Sequence, residues 1–466
     1  MNLVQAFRLG KTPCLALVGA GGKSTALFML ALELTLRDQP VIVTTTTHLH
    51  VDQLKLADSH WMGEKPEDFP DFDKKLRGIT LLTGKIRGDR SIGISPNLMA
   101  WLREICISRN LPLLIEADGS RQRPLKAPAG HEPVIPGFVE TVVVVAGLEG
   151  LDKPLSAQYV HRPEIFAKLG GLQIGDPVTS AALVRVLTHP AGGLKNIPPH
   201  ARRLALLNQV DTPVLQARVK GISEQLLPIY HAVIAASLNP SSRGSTQQSI
   251  IHAVYEPVAG IILAAGGSSR FGRPKQLLDW HGKPFVRAVA ETALSAGLFP
   301  VVVVTGAQAK KVESALKDLP VSIVRNTAWE KGQSTSVQAG LAGFLSPRSS
   351  INEHSSIASA IETAGVEAAI FLLVDQPQIT PAVIAALVGE HARTLAQIVV
   401  PRVADQRANP VLFDRLTFPE LMALSGDEGG RAILTKFPVT YLPWLDESLL
   451  TDVDTPDDYR ELVNGA

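Results

Sequence analysis

Short apolar runs alternate with longer amphipathic segments along this chain, and the apolar runs fall into two sets. Uninterrupted apolar strands separated by helical segments are typical of parallel sheets that helices cover on both faces. The pattern therefore predicts an α/β protein with two three-layer domains. The predicted strands are 14–18, 41–43, 113–115, 142–145, 204–207 and 232–236 in the first set, and 260–264, 301–304, 321–324, 369–374 and 398–400 in the second.

Apolar residues recur at helical spacing after the first strand of each set. They are Leu27, Leu30, Ala31 and Leu34 in the first set, and Phe285, Val289, Ala293 and Ala296 in the second. Gly297 stands where the second of these helices should end, because glycine readily adopts the left-handed conformation that closes many helices.

A polar stretch, NPSSRGSTQQS at 239–249, separates the two sets of strands. Its proline, glycine and serine content is typical of a linker. We therefore predict domains at 1–240 and 257–466, joined by a linker at 241–256. The similar stretch SPRSSINEHSS at 346–356 interrupts the second set and is interpreted as a surface loop.

Charge and composition exclude several classes of function. The 466 residues include 45 Lys and Arg against 44 Asp and Glu, and a net charge of +1 gives no electrostatic basis for binding nucleic acid or an anionic membrane. No apolar run reaches the ~18 residues of a membrane span, and the start of the chain lacks the unbroken apolar stretch of a signal peptide. Two cysteines in unrelated contexts, Cys14 and Cys106, indicate neither a disulfide framework nor a zinc site. A cytoplasmic protein is expected.

The first candidate phosphate-binding motif is GAGGKST at 19–25, between an apolar strand and a helix. The amides of Gly21, Gly22 and Lys23 are predicted to point at phosphate oxygens, with Lys23 neutralising phosphate charge. A strict Walker motif has glycine where this chain has Leu17, so the loop is a shortened form. The predicted nucleotide-binding residues here are Gly19, Gly21, Gly22, Lys23, Ser24 and Thr25.

Two further segments complete this candidate site. Glu116 and Asp118 in LLIEADGS end an apolar strand, so that with the Ser24 hydroxyl they are candidate Mg²⁺ ligands. Asn208 and Asp211 in LALLNQVD resemble the N-K-x-D guanine-reading motif of GTPases, although glutamine replaces the lysine. The sequence leaves open whether the nucleotide is GTP or ATP. It also leaves open whether the Asn208–Asp211 segment is only a plain turn at the end of a strand.

The segments LVGAGGKST, VIVTTTTHL, LLIEADGSRQRPLKAP, HEPVIP and LNQVD together resemble the selenium-dependent hydroxylase accessory protein (YqeC-like) family. The resemblance covers roughly 1–240, and it implies nucleotide binding and a role near molybdenum hydroxylases, one of which is an expected client. Arg121, Arg123 and Lys126 in the third segment are candidates for contact with an anionic ligand, or form an ordinary solvated cluster of charges.

The second motif, LAAGGSSRFGRPK at 263–275, fits the pattern L-A-A-G-x-S-x-R-[MF]-G-x-x-K and resembles the nucleotidyltransferase superfamily. Small residues allow the backbone to approach a nucleotide closely and to offer its amides to phosphates. Arg270 and Lys275 are predicted to stabilise the pyrophosphate that leaves. The predicted nucleotide-binding residues are Leu263, Ala264, Ala265, Gly266, Gly267, Lys275, Asn326, Gly332 and Ser334.

Attack on the α-phosphate of a nucleotide needs Mg²⁺, and therefore carboxylates at the ends of strands. Asp375 in FLLVDQP and Asp454 in DVDTPDDY are the predicted ligands, with Asp452 as an alternative. Catalysis is thus assigned to Arg270, Lys275, Asp375 and Asp454, which act by positioning and charge neutralisation, without a general base if the nucleophile is a phosphate.

The segments LAAGGSSRFGRPKQLL, NTAWEKGQSTSVQAGL, LLVDQPQIT, RANPVLF, SGDEGGRAIL and DVDTPDDY resemble the molybdenum cofactor cytidylyltransferase family over roughly 257–463. The resemblance implies a Rossmann-like domain of the nucleotide-diphospho-sugar transferase type that converts CTP and molybdenum cofactor into the cytosine dinucleotide and pyrophosphate. Ala265 favours CTP, because guanylyl-transferring relatives usually have glycine there. Guanylyl transfer, transfer to a sugar or polyol phosphate, and a non-catalytic role in cofactor maturation are the alternatives.

Overall fold

The computed structural model of this chain describes residues 1–238, 250–268, 271–345 and 365–464. These residues form two compact units, Met1–Tyr255 and Glu256–Ala466. Within the described ranges, no helix is long and apolar enough to cross a membrane. Each unit is an α/β unit with a largely parallel central sheet, as the apolar pattern predicts.

The first unit has these strands: β1 (Cys14–Gly19), β2 (Val41–Thr45), β3 (Leu49–His50), β4 (Ser59–Met62), β5 (Ile79–Thr83), β6 (Ile86–Arg87), β7 (Arg90–Ser91), β8 (Leu113–Glu116), β9 (Leu125–Lys126), β10 (Thr141–Gly147), β11 (Val160–His161), β12 (Arg202–Asn208), β13 (Ala232–Ser237) and β14 (Ile250–Tyr255). Its α-helices are α1 (Leu3–Ala6), α2 (Lys23–Thr35), α3 (Val51–Leu54), α4 (Pro96–Arg109), α5 (Pro163–Gly170), α6 (Ser180–Thr188) and α7 (Pro213–Leu226). Short 3₁₀ turns occur at Pro66–Asp68, Phe72–Lys74 and Leu148–Gly150.

Nine of these strands form one sheet in the order β14-β13-β12-β10-β1-β8-β2-β5-β4. Every neighbouring pair is parallel except β13 and β14. β1 lies in the middle, between β10 and β8, and both of these neighbours are buried along their whole length. Because parallel strands end at the same edge, Gly19, Glu116, Gly147 and Asn208 meet there.

The edges of this sheet differ from the prediction. β4 and β5 extend the sheet beyond β2. The sequence does not predict them as strands, because both mix apolar and polar residues. Residues 241–256 were predicted as a linker, but Ile250–Tyr255 pairs antiparallel with β13, and the boundary between the units follows Tyr255. The segment IIHAVY mixes apolar and polar side chains, which suits a strand at the edge of the sheet that is only partly buried. Residues 241–249 of the linker and the loop at 346–356 lie outside the described residues.

The second unit has these strands: β15 (Val258–Ala264), β16 (Asp279–Trp280), β17 (Lys283–Pro284), β18 (Val301–Thr305), β19 (Ser322–Arg325), β20 (Ala368–Leu373), β21 (Ile398–Val403), β22 (Gln406–Arg407), β23 (Val411–Asp414) and β24 (Val439–Pro443). Its α-helices are α8 (Phe285–Ser295), α9 (Ala309–Ser314), α10 (Gln333–Leu345), α11 (Pro381–Thr394), α12 (Phe418–Met422) and α13 (Pro456–Asn464). Short 3₁₀ turns occur at Lys275–Leu277, Trp329–Lys331, Arg415–Thr417, Gly430–Ile433 and Glu447–Leu450.

The main sheet of this unit runs β19-β18-β15-β20-β23-β21-β22, and β24 pairs with β21. The first four strands are parallel, whereas β23 is antiparallel to both β20 and β21. β15 and β20 are neighbours and end at the same edge, which brings the loop after Ala264 close to Asp375. The predicted apolar residues of α2 are buried, as are Phe285, Val289 and Ala293 of α8, whereas Ala296 caps α8 and Gly297 follows in the left-handed conformation with φ +80°.

Candidate functional site

The first loop wraps the end of β1 and relies on glycine. Gly19, Gly21 and Gly22 have φ values of +96°, +85° and +117°. A Cβ atom on Gly22 would lie 2.3 Å from Asn208 Nδ2, and one on Gly21 would lie 2.3 Å from the nitrogen of Gly147. Side chains at either position would collide with the ends of β10 and β12. Glycine is therefore needed both for the positive φ values and for these close contacts.

One predicted role in this loop is wrong. The amide of Gly21 donates to the carbonyl oxygen of Arg123 at 3.1 Å, so it is already used within the protein and is not available to a phosphate. The amides of Lys23, Ser24 and Thr25 begin α2 and have no acceptor in a preceding turn of helix, whereas the amide of Ala26 already donates to the carbonyl of Gly22. A phosphate therefore has the start of α2, with the favourable end of its dipole, as its backbone contact.

The charged side chains predicted for this site do come together. Lys23 Nζ donates to the carbonyl of Gly19 at 2.7 Å, and it lies 3.2 Å from Asp118 Oδ1 and 3.9 Å from Glu116 Oε1. The Ser24 hydroxyl donates to Glu116 Oε2 at 2.7 Å. Burial raises the pKa of Glu116, and the charge of Lys23 opposes that rise. The buried lysine is thus held by two carboxylates at the point where a phosphate and its cation would arrive.

The Asn208–Asp211 segment is divided between two surroundings. Asn208 is buried, donates from Nδ2 to the carbonyl of Gly21 at 2.7 Å, and accepts from the amide of Leu238 at 2.9 Å. Asp211 is exposed, and burial lowers the pKa of His252 of β14 while the charge of Asp211 opposes that fall. Asn208 therefore holds the loop in shape, and the structure does not bring Asp211 to the same place.

The second loop follows β15 and is closed by Lys275. The backbone amide of Lys275 donates to Ser268 Oγ at 3.0 Å. Gly266 and Gly267 are exposed, and a Cβ on Gly267 would come within 3.0 Å of the Trp329 ring. The predicted catalytic residue Arg270 lies outside the described residues.

Gln276 shapes the second loop and was not predicted from the sequence. It is 2% exposed, and its Nε2 donates to the carbonyl oxygens of Ala264 at 3.1 Å and Gly266 at 2.6 Å. A glutamine beside the lysine of the motif is the only signal for it in the sequence, and glutamine alone indicates no role. The bonds show that it fixes the turn in which the small residues lie.

Lys275 joins the two predicted metal-binding carboxylates. Its Nζ lies 2.6 Å from Asp454 Oδ1 and 3.5 Å from Asp375 Oδ2. The amide of Val453 donates to the carbonyl of Asp375 at 3.1 Å, which fastens the Asp454 segment beside β20. Burial raises the pKa of Asp375, and Lys275 opposes the rise. The ion pair with Lys275 favours Asp454 over Asp452 as the second candidate metal ligand.

The donor set fits a magnesium ion that is shared with a substrate. Among the residues that the structure describes, no three His, Cys, Asp or Glu side chains are grouped to hold a metal by themselves. Mg²⁺ in nucleotide enzymes is usually held by one or two carboxylates together with substrate phosphates. Asp375 and Asp454 supply such a pair, and the nearby cation Lys275 shows that the place attracts positive charge.

The predicted nucleotide-binding residues Asn326, Gly332 and Ser334 lie in a packed loop against the segment at 425–429. Asn326 is 6% exposed, and its side-chain amide donates to Thr335 and Ser336. The Ser334 hydroxyl donates to the carbonyl of Gly426 at 2.7 Å. In this structure Asn326 and Ser334 therefore hold the loop, and their contact with a nucleotide remains a prediction.

Changing Gly332 to alanine is expected to destabilise the second unit by about 2 kcal/mol more than changing Gly282 to alanine. Gly332 has φ +114°, and a Cβ there would lie 2.2 Å from the carbonyl oxygen of Gly426. Gly282 has φ +81° with nothing within 4 Å, so it carries the backbone strain without the collision. Thermal unfolding of both variants measures the difference, and equal shifts would show that the Gly426 segment moves aside freely.

The two loops define the class of protein. Each lies at the carboxyl edge of a parallel sheet, where α/β proteins bind nucleotides. The second loop, with a lysine between two carboxylates, has the charges that nucleotidyl transfer requires. The chain thus carries a nucleotide-type loop in its first unit and a nucleotidyltransferase fold in its second.

Comparisons with known proteins agree with this division. Residues 15–164 match the YqeC protein family, and residues 260–440 match the MobA-like NTP transferase domain family. YqeC of Escherichia coli K12 is 35% identical over 201 residues, which are 42% of this chain and 75% of that protein. The chain belongs to the YqeC family through its first half and to the MobA-like NTP transferase family through its second half.

Relatives of the second half include two with different names. Nicotine blue oxidoreductase of Paenarthrobacter nicotinovorans is 32% identical over 216 residues, which are 44% of this chain and 96% of that protein. A probable molybdenum cofactor guanylyltransferase of Bacillus cytotoxicus is 34% identical over 89 residues, which are 19% of this chain and 41% of that protein. The family thus contains proteins whose names denote different reactions, so the nucleotide and the acceptor need their own evidence.

Proposed function

We propose that the second unit is a Mg²⁺-dependent cytidylyltransferase that transfers CMP from CTP to molybdenum cofactor and releases pyrophosphate. The observation that carries the proposal is the position of Lys275, paired with Asp375 and Asp454 beside the glycine loop that follows β15. A nucleotide held by the small residues of that loop has its phosphates next to these three charges.

The reaction balances without a redox step. An oxygen of the acceptor's phosphate forms a bond to the α-phosphorus, and the bond from that phosphorus to the bridging oxygen breaks, so that pyrophosphate leaves with the bonding electrons. Lys275, together with the predicted Arg270, neutralises the charge that grows on the leaving group. Asp375 and Asp454 are the residues that would hold a Mg²⁺ ion, which would supply further positive charge to the reacting phosphates.

The choice of CTP is supported by Ala265, although its side chain acts indirectly. Ala265 is 3% exposed, and a Cβ built on Gly306 would lie 2.9 Å from that of Ala265. Its methyl group therefore packs into the core against the end of β18. A glycine at this position would remove the methyl group and loosen the packing beneath the loop.

The first unit is proposed to bind a second nucleotide, GTP or ATP with Mg²⁺, and to assist maturation of a molybdenum hydroxylase. Lys23 and Ser24 at the start of α2, with Glu116 and Asp118, support nucleotide binding. Asn208 holds the loop, whereas the exposed Asp211 gives no support to guanine over adenine. Covalent fusion of the two units would keep both at roughly millimolar effective concentration for one labile cofactor.

Product analysis tests the transferase proposal. The full chain is incubated with Mg²⁺, molybdenum cofactor and CTP, GTP or ATP in turn, and each product is identified by its mass. We expect the cytosine dinucleotide and pyrophosphate from CTP. A guanine dinucleotide would assign the alternative nucleotide, and turnover of only a sugar or polyol phosphate would overturn the acceptor. Lys275, together with a Mg²⁺ ion that Asp375 and Asp454 would hold, suits phosphates, which is why transfer is proposed and not the redox reaction that the name of the Paenarthrobacter relative denotes.

A further inference from the structure

The carboxylate Asp454 lies on a stretch of chain that has no regular secondary structure. Residues 451–454 belong to neither a helix nor a strand, and they run between the 3₁₀ turn Glu447–Leu450 and α13. The side chain of Asp454 is 54% exposed, so the packing around it does not fix its place. Its distance of 2.6 Å from Lys275 Nζ therefore depends on what holds the backbone of residues 448–454.

Two glutamines that follow β20 hold this stretch of backbone. Gln378 Nε2 donates to the carbonyl oxygen of Ser448 at 3.0 Å and to that of Thr451 at 2.8 Å. Gln376 Nε2 donates to the carbonyl oxygen of Leu449 at 3.3 Å. We name Gln376 and Gln378 the glutamine clamp. Three hydrogen bonds of the clamp thus connect the segment after β20 with the turn that precedes the candidate metal ligand.

The clamp is buried where its bonds form. Gln376 is 1% exposed, and the Oε1 atoms of both glutamines are buried and have no hydrogen-bond partner among the residues that the structure describes. A buried amide with an unpaired acceptor costs free energy that an apolar side chain of the same size avoids. What the glutamines provide, and an apolar side chain does not, is donor groups for the three carbonyl oxygens.

Further contacts fix the same stretch on its other side. The amide of Val453 donates to the carbonyl of Asp375 at 3.1 Å, and the amide of Asp454 donates to Asp458 Oδ2, in the first turn of α13, at 2.9 Å. The side chains of Leu449 and Val453 are buried in the core of the second unit. The backbone that carries Asp454 is therefore held from both directions, and the clamp is the anchor on its N-terminal side.

We propose that Gln376 and Gln378 are positioning residues, which hold Asp454 beside Asp375 for the binding of one shared divalent cation. Their bonds go to backbone carbonyls, so they act through the backbone and not on a substrate. Residues that orient metal ligands commonly change metal affinity 10- to 100-fold when they are replaced. Ligands that are already in place need not be ordered when the cation binds. The inference rests on the proposed function only in treating Asp375 and Asp454 as metal ligands.

Gln378→Met tests the proposal in the full chain, because methionine has a similar size but cannot donate to the two carbonyls. Amide hydrogen exchange reports the position of the segment without any metal or nucleotide, and we expect the amide of Val453 to exchange about tenfold faster. Mn²⁺ binding, followed by the electron paramagnetic resonance signal of the free ion, should weaken about tenfold at this site. The site in the second unit is identified as the Mn²⁺ binding that Asp375→Asn removes.

Two more variants complete the test. Gln376→Met loses one longer bond, so it should change both measurements in the same direction by a smaller factor, and it carries the test if Gln378→Met does not fold. The matched control is Gln338→Met. Gln338 on α10 also donates to two backbone carbonyls, those of Met422 and Leu424, at 3.0 Å and 2.8 Å. Loss of these bonds should leave Val453 exchange and Mn²⁺ binding unchanged.

The outcomes separate positioning from a merely structural role. Native exchange at Val453 in the clamp variants would overturn the proposal, because the bonds would then not hold the segment. Faster exchange with native Mn²⁺ affinity would also overturn it, since the segment would be held for stability and not for the cation. Mn²⁺ binding that Asp375→Asn leaves intact would overturn this inference together with the metal role in the proposed function. A wrong nucleotide or acceptor is recognised separately, because it changes the product analysis and neither of these two measurements.

Discussion

Replacing Asp375 with asparagine is expected to lower nucleotidyl transfer by about three orders of magnitude while the fold stays intact. Asparagine has the same shape but removes one of the two carboxylates that pair with Lys275 and are proposed to hold Mg²⁺. Because burial raises the pKa of Asp375, its charged form is not favoured by the fold at neutral pH. The variant should therefore unfold at the same temperature as the native chain, or at a higher one. Pyrophosphate release and thermal unfolding measure the two effects.

The matched control is Asp457→Asn. Asp457 lies in the first turn of α13, its side chain is 75% exposed, and it pairs with Arg460 on the same helix. We expect this change to leave the transfer rate within about twofold of native, because exposed ion pairs contribute little. The alternative of a non-catalytic maturation factor makes the opposite prediction for Asp375. If Asp375→Asn abolished pyrophosphate release but a client hydroxylase still matured normally, the transferase role would not be the one that matters for maturation.

The strands and the two loops were predictable because each depends on neighbours in the sequence. A buried parallel strand is apolar throughout, and the residues after it lie at one edge of the sheet, so Lys23, Glu116 and Asp118 were expected together before any contact was known. The same reasoning places Asp375 and the loop that carries Lys275 at one edge, because β15 and β20 are parallel neighbours. Asp454 does not directly follow a strand, and it reaches Lys275, 179 positions away, because the amide of Val453 donates to the carbonyl of Asp375.

What was missed depends on contacts between distant segments. The use of the Gly21 amide by Arg123 is not predictable, because no local pattern shows that the segment between β8 and β9 passes beside the loop. Gln276 carries no charge and fits no motif, so only its two bonds to the backbone reveal it. The sequence predicts a linker at Ile250–Tyr255 and not a strand. An edge strand pairs with a neighbour on one side only, so it does not need the unbroken apolar run by which a buried strand is recognised.

Replacing Lys23 with methionine is expected to abolish nucleotide binding to the first loop and to destabilise the first unit by about 3 kcal/mol. Methionine fills similar volume, but it removes the cation that lies 3.9 Å from Glu116 and 3.2 Å from Asp118, and of the two only Asp118 keeps an ion-pair partner among the described residues, Lys126 at 2.8 Å. Titration with a fluorescent nucleotide measures binding, and hydrogen exchange of β1 and β8 measures stability in this unit. Ser24→Ala, which removes one hydrogen bond to Glu116 but no charge, is the control and should cost about 1 kcal/mol.

The pH dependence of this loss separates charge from packing. Burial holds the pKa of Glu116 above its ordinary value of 4.5, and removal of Lys23 raises that pKa further. A carboxyl group whose pKa is higher in the folded state favours folding below its unfolded pKa, and loses that contribution as the pH rises through the folded pKa. The Lys23→Met deficit should therefore be full at neutral pH and shrink as the pH falls toward 4.5, where Glu116 is protonated and needs no cation. A deficit that stays constant over this range would assign the effect of Lys23 to packing of its side chain instead of to its charge.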